Sequence, residues 1–212
     1  MELQYYGANC LALTYKQVRI VIDDNLKALG LKSITKPTDT CLYTSSNLAK
    51  DKSNSIARIV IDSPGEYEVG RVSVYGIEAQ AHMDEPEQHT ASIYKMIVGD
   101  LNIIVTGHIY PELTDNQLEA IGMVDVLIIP VGGHGYTVDS IGALKLIKLI
   151  EPKIVIPTHY ADSTIQYPVP QDSLEDVLKN ISMEPSETIS KLKLKSADLT
   201  EGRKLIVLEK TN

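Results

Sequence analysis

The fold is indicated by residues 124–160, which read VDVLIIPVGGHGYTVDSIGALKLIKLIEPKIVIPTHY. The apolar runs VLIIPV and KIVIP are typical of strands that are buried on both faces, as the strands of parallel sheets are. Between them, TVDSIGALKLIKLIEP has the apolar spacing of a helix that begins near Thr137 and ends before Pro152. This order predicts a parallel sheet covered by a helix. The loops GGHG and THYAD then follow the carboxyl ends of strands, where α/β proteins place ligand sites.

The rest of the chain is richer in predicted strands than in predicted helices. Two β-rich runs, SIYKMIV and LNIIVT, are joined by Gly99–Asp100 and predict a hairpin. The segment LTDNQLEAIG predicts a short helix in which Thr114 and Gln117 form a capping box. Neither a linker nor a low-complexity tract interrupts residues 1–212, so we expect one domain of two sheets with helices outside them.

Composition argues against several classes of function. The formal net charge of −8 repels phosphate backbones, and the densest lysine run, SKLKLKS, alternates as the face of a strand does. No apolar run approaches the roughly 20 residues that a membrane span needs, and the start MELQYYGANC does not resemble a signal peptide. Cys10 and Cys41 form no C-x-x-C pair; we interpret them as small buried apolar residues, with a disulfide or reactive thiol as the alternative. We therefore expect a cytoplasmic protein that binds neither nucleic acid nor membrane.

Polar residues suited to ligand binding collect at the predicted strand ends. Four of the five histidines lie at or near such ends, namely His82, His108, His134 and His159. One such histidine is more often a hydrogen-bonded structural residue, but four of them favour a shared pocket. Asp23 and Asp84 lie in similar places. The loop GGHG lacks the spacing and the Lys-Ser/Thr of a phosphate loop, so it either lets a ligand approach the backbone or is a tight turn before the next helix.

The order of these pieces resembles the metallo-β-lactamase superfamily, and in particular its compact branch assigned as metal-dependent hydrolases. The resemblance is carried by YYGANCLAL with VRIVIDDN, by DSPGEYEVGRVSVYGIEAQAHMD, and by the long stretch at residues 99–160. It implies an αββα four-layer sandwich with a metal site at one edge, between the sheets. Relatives in this branch include sugar-phosphate lactonases, so the resemblance implies small phosphorylated or lactone-like substrates.

The main metal-binding motif of that family differs in this chain. In the family, a strand ending in Thr is followed by His-x-His-x-Asp-His. Here Thr44 is followed by SSNLAK, so the resemblance puts at the four ligand positions Ser45, Asn47, Ala49 and Lys50. The first three are poor substitutes for imidazole or carboxylate, and Lys50 brings a positive charge to the place of a cation.

Other family positions are partly retained. Val105 stands where the resemblance expects the bridging Asp, whereas His82 and His159 match ligand histidines. Asp23 matches the residue that braces the metal loop, and His108 matches a position beside the site. Because metal is needed to acidify a water and to polarise the substrate, this set predicts that the chain is not a dinuclear hydrolase.

We therefore expect a non-catalytic binding or regulatory protein without a metal cofactor. Its residual pocket is predicted to contain Asp23, Lys50, His82, Asp84, His108, His134 and His159. The lysine and the histidines would give this pocket a positive character that depends on pH, suited to an anionic small molecule. Two alternatives stay open. One is an atypical hydrolase with a single Zn or Mn ion on His82, His108 and His159, completed by Asp84 or water; the other is an interaction module in a homo-oligomer.

Overall fold

A computed structural model describes residues 1–49 and 55–211 of the chain. Lys50, which the sequence places in the predicted pocket, lies outside the described residues. The strands, numbered in chain order, are β1 Glu2–Gly7, β2 Cys10–Tyr15, β3 Val18–Ile22, β4 Thr40–Leu42, β5 Ile59–Ile61, β6 Gly65–Val69, β7 Val72–Ala79, β8 Ala91–Val98, β9 Leu101–Val105, β10 Val126–Pro130, β11 Ile154–Thr158, β12 Glu187–Ile189, β13 Leu192–Lys193 and β14 Lys204–Leu208. The α-helices are α1 Asp115–Ile121, α2 Ser140–Ile150 and α3 Leu174–Ile181.

These strands form two sheets. The first has the order β13-β1-β2-β3-β4-β5, and the second has the order β12-β14-β11-β10-β9-β8-β7-β6. In the second sheet, β6 to β9 are antiparallel neighbours and include the predicted hairpin at Gly99–Asp100. From β9 onward, β10, β11 and β14 pair in parallel, and the continuous apolar runs of β10 and β11 predicted this for those two strands.

The main core lies between the two sheets. Leu3, Leu13 and Ile20 of the first sheet are fully buried in one cluster with Tyr94 and Ile103 of the second. A second cluster lies on the outer face of the second sheet, where α1, α2 and α3 cover it. The predicted α/β sandwich is confirmed. In the described residues, the layer outside the first sheet is a 3-10 helix, Leu26–Leu29, with loops.

The helix ends follow local hydrogen bonding. Thr114 and Gln117 form the predicted capping box at the start of α1. Helix α2, expected to begin near Thr137, has its N-cap two residues later, because Asp139 caps the helix by accepting from the Gly142 N–H. The Thr137 hydroxyl instead accepts from the Gly133 N–H at 2.9 Å and closes the preceding loop.

The structure tests the interpretation of the two cysteines and the expected lack of a membrane span. Cys10 and Cys41 are buried free thiols, which confirms their interpretation as small apolar residues. Burial raises the pKa of both thiols, so neither has the features of a reactive cysteine. Within the described residues, no helix has the length and apolarity needed to cross a membrane.

Candidate functional site

The predicted site residues gather at one edge because parallel strands end together. Strands β9, β10 and β11 run side by side, and the chain leaves them toward His108, His134 and His159. In the first sheet, β3 ends just before Asp23. The His159 N–H donates to the Ala8 carbonyl at 2.7 Å and so joins the two sheets at this edge.

The backbone at this edge adopts unusual conformations. Ala8, Asp23, His134 and His159 have φ values of 48°, 46°, 56° and 55°, in the left-handed region that favours glycine. A non-glycine residue in this region costs about 1 kcal/mol or more and persists only where its surroundings hold it. Such residues concentrate at functional sites, so this edge is the candidate functional site.

Asp23 is the centre of a saturated polar network. Its carboxylate accepts from the Thr44 N–H at 2.7 Å, the Thr44 hydroxyl at 2.6 Å and the Asn9 amide at 2.7 Å. The Asn9 carbonyl oxygen in turn accepts from the Thr158 hydroxyl at 2.6 Å. Burial raises the pKa of Asp23 to about 6, against the hydrogen bonds from Thr44 and Asn9, which lower it. Asp23 therefore braces the loop that begins at Thr44.

His108 has the opposite environment. It is 6% exposed, and neither of its ring nitrogens has a hydrogen-bond partner among the described residues. Its ring packs edge-on against Tyr136 and His159, with centroids 5.0 Å away in both cases. Burial, together with His159 and His82, lowers the pKa of His108 well below its usual value, so the ring is neutral at pH 7. A buried imidazole without partners is costly unless a ligand or water completes it.

His159 lies beside His108 and is also buried. Its Nδ1 is 2.9 Å from Gln171 Oε1, and its ring contacts Tyr167 at a centroid distance of 5.0 Å. Burial lowers the pKa of His159 to about 4, although its hydrogen bond with Gln171 partly opposes this shift. At neutral pH the pair therefore presents two neutral imidazoles between the aromatic rings of Tyr136 and Tyr167.

His82 and Asp84 belong to the neighbouring loop. The His82 N–H donates to the His108 carbonyl at 2.8 Å, while the His82 ring packs on Tyr110, which is 40% exposed. The Asp84 carboxylate accepts from the Ala81 N–H, the Thr90 N–H and the Thr90 hydroxyl. Burial opposes its ionisation, but these hydrogen bonds outweigh it and hold the pKa of Asp84 below its usual value. Asp84 thus stabilises its own loop.

His134 lies at the outer rim of the edge. Its ring is half-exposed, and Nε2 is 3.0 Å from an Asp172 carboxylate oxygen. This contact connects the GGHG loop to the segment that follows His159. The structure thus brings His108 and His159 into contact, joins His82 to them through the backbone, and directs Asp23, Asp84 and His134 to partners of their own.

These residues do not fit the dinuclear metal site that the fold family implies. The carboxylates of Asp23 and Asp84, which the resemblance does not place among the dinuclear ligands, each accept three hydrogen bonds from the protein. Ser45 and Ala49 are buried without metal-binding chemistry, and Asn47 is exposed. Across residues 1–49 and 55–211, no group of three or more His, Cys, Asp or Glu side chains is arranged to hold an ion.

Sequence reasoning missed the aromatic and amide residues of the site. Tyr136, Tyr167 and Gln171 surround His159, but no periodic pattern marks them. One signal was available, because the glycines of GGHG indicate a close approach to the backbone. The approaching group is the chain's own Gln171, since a Cβ on Gly132 would overlap its Oε1.

Comparison with known sequences agrees with this fold. A family model described as a beta-lactamase superfamily domain matches residues 2–159. The UPF0173 protein of Pyrococcus abyssi is 25% identical over 178 residues, covering 76% of this chain and 83% of that protein. The UPF0173 metal-dependent hydrolase of Thermoplasma acidophilum is 48% identical over 47 residues, covering 21% of this chain and 20% of that protein.

Solved structures show the same architecture. A metallo-β-lactamase superfamily protein of Thermotoga maritima, proposed to be a Zn-dependent hydrolase, has a TM-score of 0.73 at 24% identity and covers 98% of both chains. A metallo hydrolase of Ignicoccus hospitalis has a TM-score of 0.63 at 17% identity, covering 98% of this chain and 94% of that one. At these identities the likeness concerns the fold.

Proposed function

Because the chain belongs to the beta-lactamase superfamily, we propose that it uses the family's edge of the sandwich as a binding pocket for a small molecule, without dinuclear metal hydrolysis. Curated relatives are named metal-dependent hydrolases. The observation that carries the proposal is the contrast in hydrogen bonding at this edge. His108 is buried with both nitrogens free among the described residues, whereas the carboxylates are taken up by the protein itself.

The residues at the family's ligand positions argue against dinuclear hydrolysis. Divalent ions that activate water in such sites are held by several histidines and carboxylates. At four of the positions where the resemblance expects such ligands, the chain has Ser45, Asn47, Ala49 and Val105, and none of them carries an imidazole or a carboxylate. The saturated hydrogen-bond network of Asp23 agrees with the bracing role that the resemblance gives this residue.

The free nitrogens of His108 support ligand binding. A neutral imidazole offers one donor and one acceptor, so a small molecule with both functions would satisfy His108. The rings of Tyr136 and His159 pack against that imidazole. Because the pKa values of His108 and His159 are lowered, neither ring supplies positive charge at neutral pH. This favours an uncharged ligand; the anionic ligand expected from the sequence stays a prediction.

A single-metal hydrolase is the second candidate, and the same free nitrogens favour it. Neutral imidazole is a good ligand for divalent transition metals, and the ion would be held by His82, His108 and His159. A bound ion would supply an acidified water. As described, the three side chains do not form a group that could hold an ion, so this candidate requires the His82 ring to leave Tyr110.

Metal content separates the two candidates. Purified protein is incubated with excess Zn²⁺ or Mn²⁺, desalted and measured by elemental analysis, together with His159→Ala and the control His89→Ala. His89 is exposed, its Nδ1 lies 3.3 Å from a Glu78 carboxylate oxygen, and it is not one of the three candidate ligands. We expect no stoichiometric metal in any sample, and a melting temperature that a chelator leaves unchanged. One ion per chain that is lost only in His159→Ala would overturn the proposal in favour of the single-metal hydrolase.

Restoring the family motif tests the positional match. The combined substitutions Ser45→His, Asn47→His, Ala49→Asp, Lys50→His and Val105→Asp return the ligand types that the family uses. We expect the folded variant to bind zinc tightly, because the strands that carry this edge are in place. A folded variant without zinc binding would contradict the assignment of these positions.

A further inference from the structure

We propose that Gln171 is a positioning residue that fixes the tautomer of His159 and thereby selects the ligand. This inference rests on the proposed binding pocket and names the chemistry that the pocket accepts. Gln171 lies beyond residues 2–159, the part matched by the family model. It reaches His159 from the loop between β11 and α3.

The orientation of the Gln171 amide follows from its other contacts. Its Nε2 is 3.0 Å from the Val169 carbonyl and 2.8 Å from the Pro170 carbonyl. Carbonyl oxygens only accept hydrogen bonds, so both neighbours require the NH₂ end of the amide at this position. The Oε1 end therefore faces His159 and must accept, which requires the proton of His159 to be on Nδ1.

The surrounding backbone holds Gln171 in this place. A Cβ on Gly132 would overlap both Gln171 Oε1 and the His159 carbonyl, so glycine is needed for space at that position. The next residue, Asp172, donates its N–H to the Gly132 carbonyl at 2.8 Å, and its carbonyl accepts from the Ala161 N–H at 2.9 Å. The close approach of Gly132 and the backbone hydrogen bonds of Asp172 thus hold the Gln171 amide in place before any ligand binds.

The consequence is a defined polarity in the pocket. With the proton on Nδ1, Nε2 of His159 carries a lone pair, and no group of the described chain donates to it. Nε2 of His159 can therefore accept a hydrogen bond from an N–H or O–H group of a ligand. An ionised carboxylate or phosphate oxygen has no proton to donate, so its lone pairs would be repelled by the lone pair of Nε2. The pocket selects an uncharged ligand that donates a hydrogen bond.

The tautomer is measured first, in the free protein. Long-range ¹H–¹⁵N spectra of the imidazole rings at neutral pH distinguish Nδ1–H from Nε2–H. We expect Nδ1–H for His159 in the wild type, in the control Gln166→Leu from the same loop, and in Gln171→Glu, which keeps an acceptor. We expect Gln171→Leu and Gly132→Ala to shift His159 toward Nε2–H. The wild-type tautomer in folded Gln171→Leu, or Nε2–H in the wild type, would overturn the inference.

Ligand selection is measured next with an isosteric pair of probes. Acetamide offers an N–H donor and a carbonyl acceptor, whereas acetate at neutral pH offers acceptors only. We expect acetamide to perturb the His108 and His159 ring resonances and acetate not to do so. Gln171→Leu should weaken acetamide binding about fivefold, the effect of one lost hydrogen bond. Equal or stronger binding of acetate would overturn the selection.

Together, the tautomer and the binding measurements test the positioning role of Gln171 separately from the proposed binding pocket. An Nδ1–H tautomer that depends on Gln171, with neither probe bound at this edge, supports the positioning role and counts against the ligand selection and the binding pocket. Acetamide binding that is insensitive to Gln171 supports the binding pocket and counts against the positioning role.

Discussion

Asp23 and His108 are two buried titratable residues at the same edge, and they differ in whether the protein satisfies the hydrogen-bonding capacity of their side chains. Asp23 is fully buried and has three donors from Asn9 and Thr44. His108 is nearly as buried, and its ring nitrogens have no hydrogen-bond partner in the part of the chain that the structure describes. A saturated group is explained by the fold that it stabilises. A group left unsatisfied carries a free-energy cost that folding alone does not explain, and the proposed binding role of His108 rests on this contrast.

Gly107 connects the two regions, and its replacement should have the largest effect. Its φ is +61°, and a Cβ there would overlap the Thr44 side chain that donates to Asp23. We expect Gly107→Ala to lower the free energy of unfolding by about 3 kcal/mol, from overpacking and left-handed backbone strain together. Urea denaturation measures this change.

The matched control for Gly107 is Gly135. Its φ is +70°, and nothing lies within 4 Å of a Cβ built on it. Gly135→Ala therefore reports backbone strain alone, which should cost about 1 kcal/mol. Equal losses in the two variants would show that the close contact between Gly107 and Thr44 does not hold the brace in place.

The two regions should also respond to pH with opposite sign. The pKa of Asp23 is raised to about 6, so its contribution to stability is present below about pH 4 and is lost as the pH rises through about 6. The pKa of His159 is lowered to about 4, so its contribution is present above about pH 6.5 and is lost as the pH falls toward about 4. Between about pH 4 and about pH 6 the two effects oppose each other.

Substitution should separate these opposed contributions. Asparagine tolerates the left-handed backbone of both positions and does not titrate. We expect the stability of Asp23→Asn to rise more steeply with pH than that of the wild type, by about 1 kcal/mol per pH unit between about pH 4 and about pH 6. His159→Asn should change the slope by a similar amount in the other direction. Urea unfolding across this range measures both slopes, and parallel curves for the two variants would show that neither residue titrates as described.

A smaller effect is expected at His108 itself. His108→Leu replaces an unsatisfied polar ring by an apolar side chain among buried rings, so we expect stability to rise by about 1 kcal/mol while probe binding is lost. Thermal unfolding and the acetamide titration measure the two outcomes. A clear loss of stability would mean that the His108 nitrogens are satisfied in solution by ordered water, and the contrast with Asp23 would then weaken.

Much of the fold was predictable because its signals are local. The apolar run of β10, the capping box of Thr114 and Gln117, and the turn at Gly99–Asp100 each act over a few residues. The two-residue offset at the start of α2 has the same local origin. Thr137 and Asp139 could both cap a helix, and only the loop geometry decided that Asp139 does so. The roles proposed for the histidine pocket stay predictions until the metal and ligand experiments are done.

The sequence by itself determined the two-sheet sandwich and the placement of His108, His134 and His159 at one edge, because parallel strands align their carboxyl ends. Only the tertiary structure decided which polar groups find partners. Asp23 takes its donors from segments 14 and 21 residues away, and His159 is oriented by Gln171 from beyond the matched domain. Such pairings are formed by loops that carry no periodic signal, so their hydrogen bonding follows from the packed chain alone.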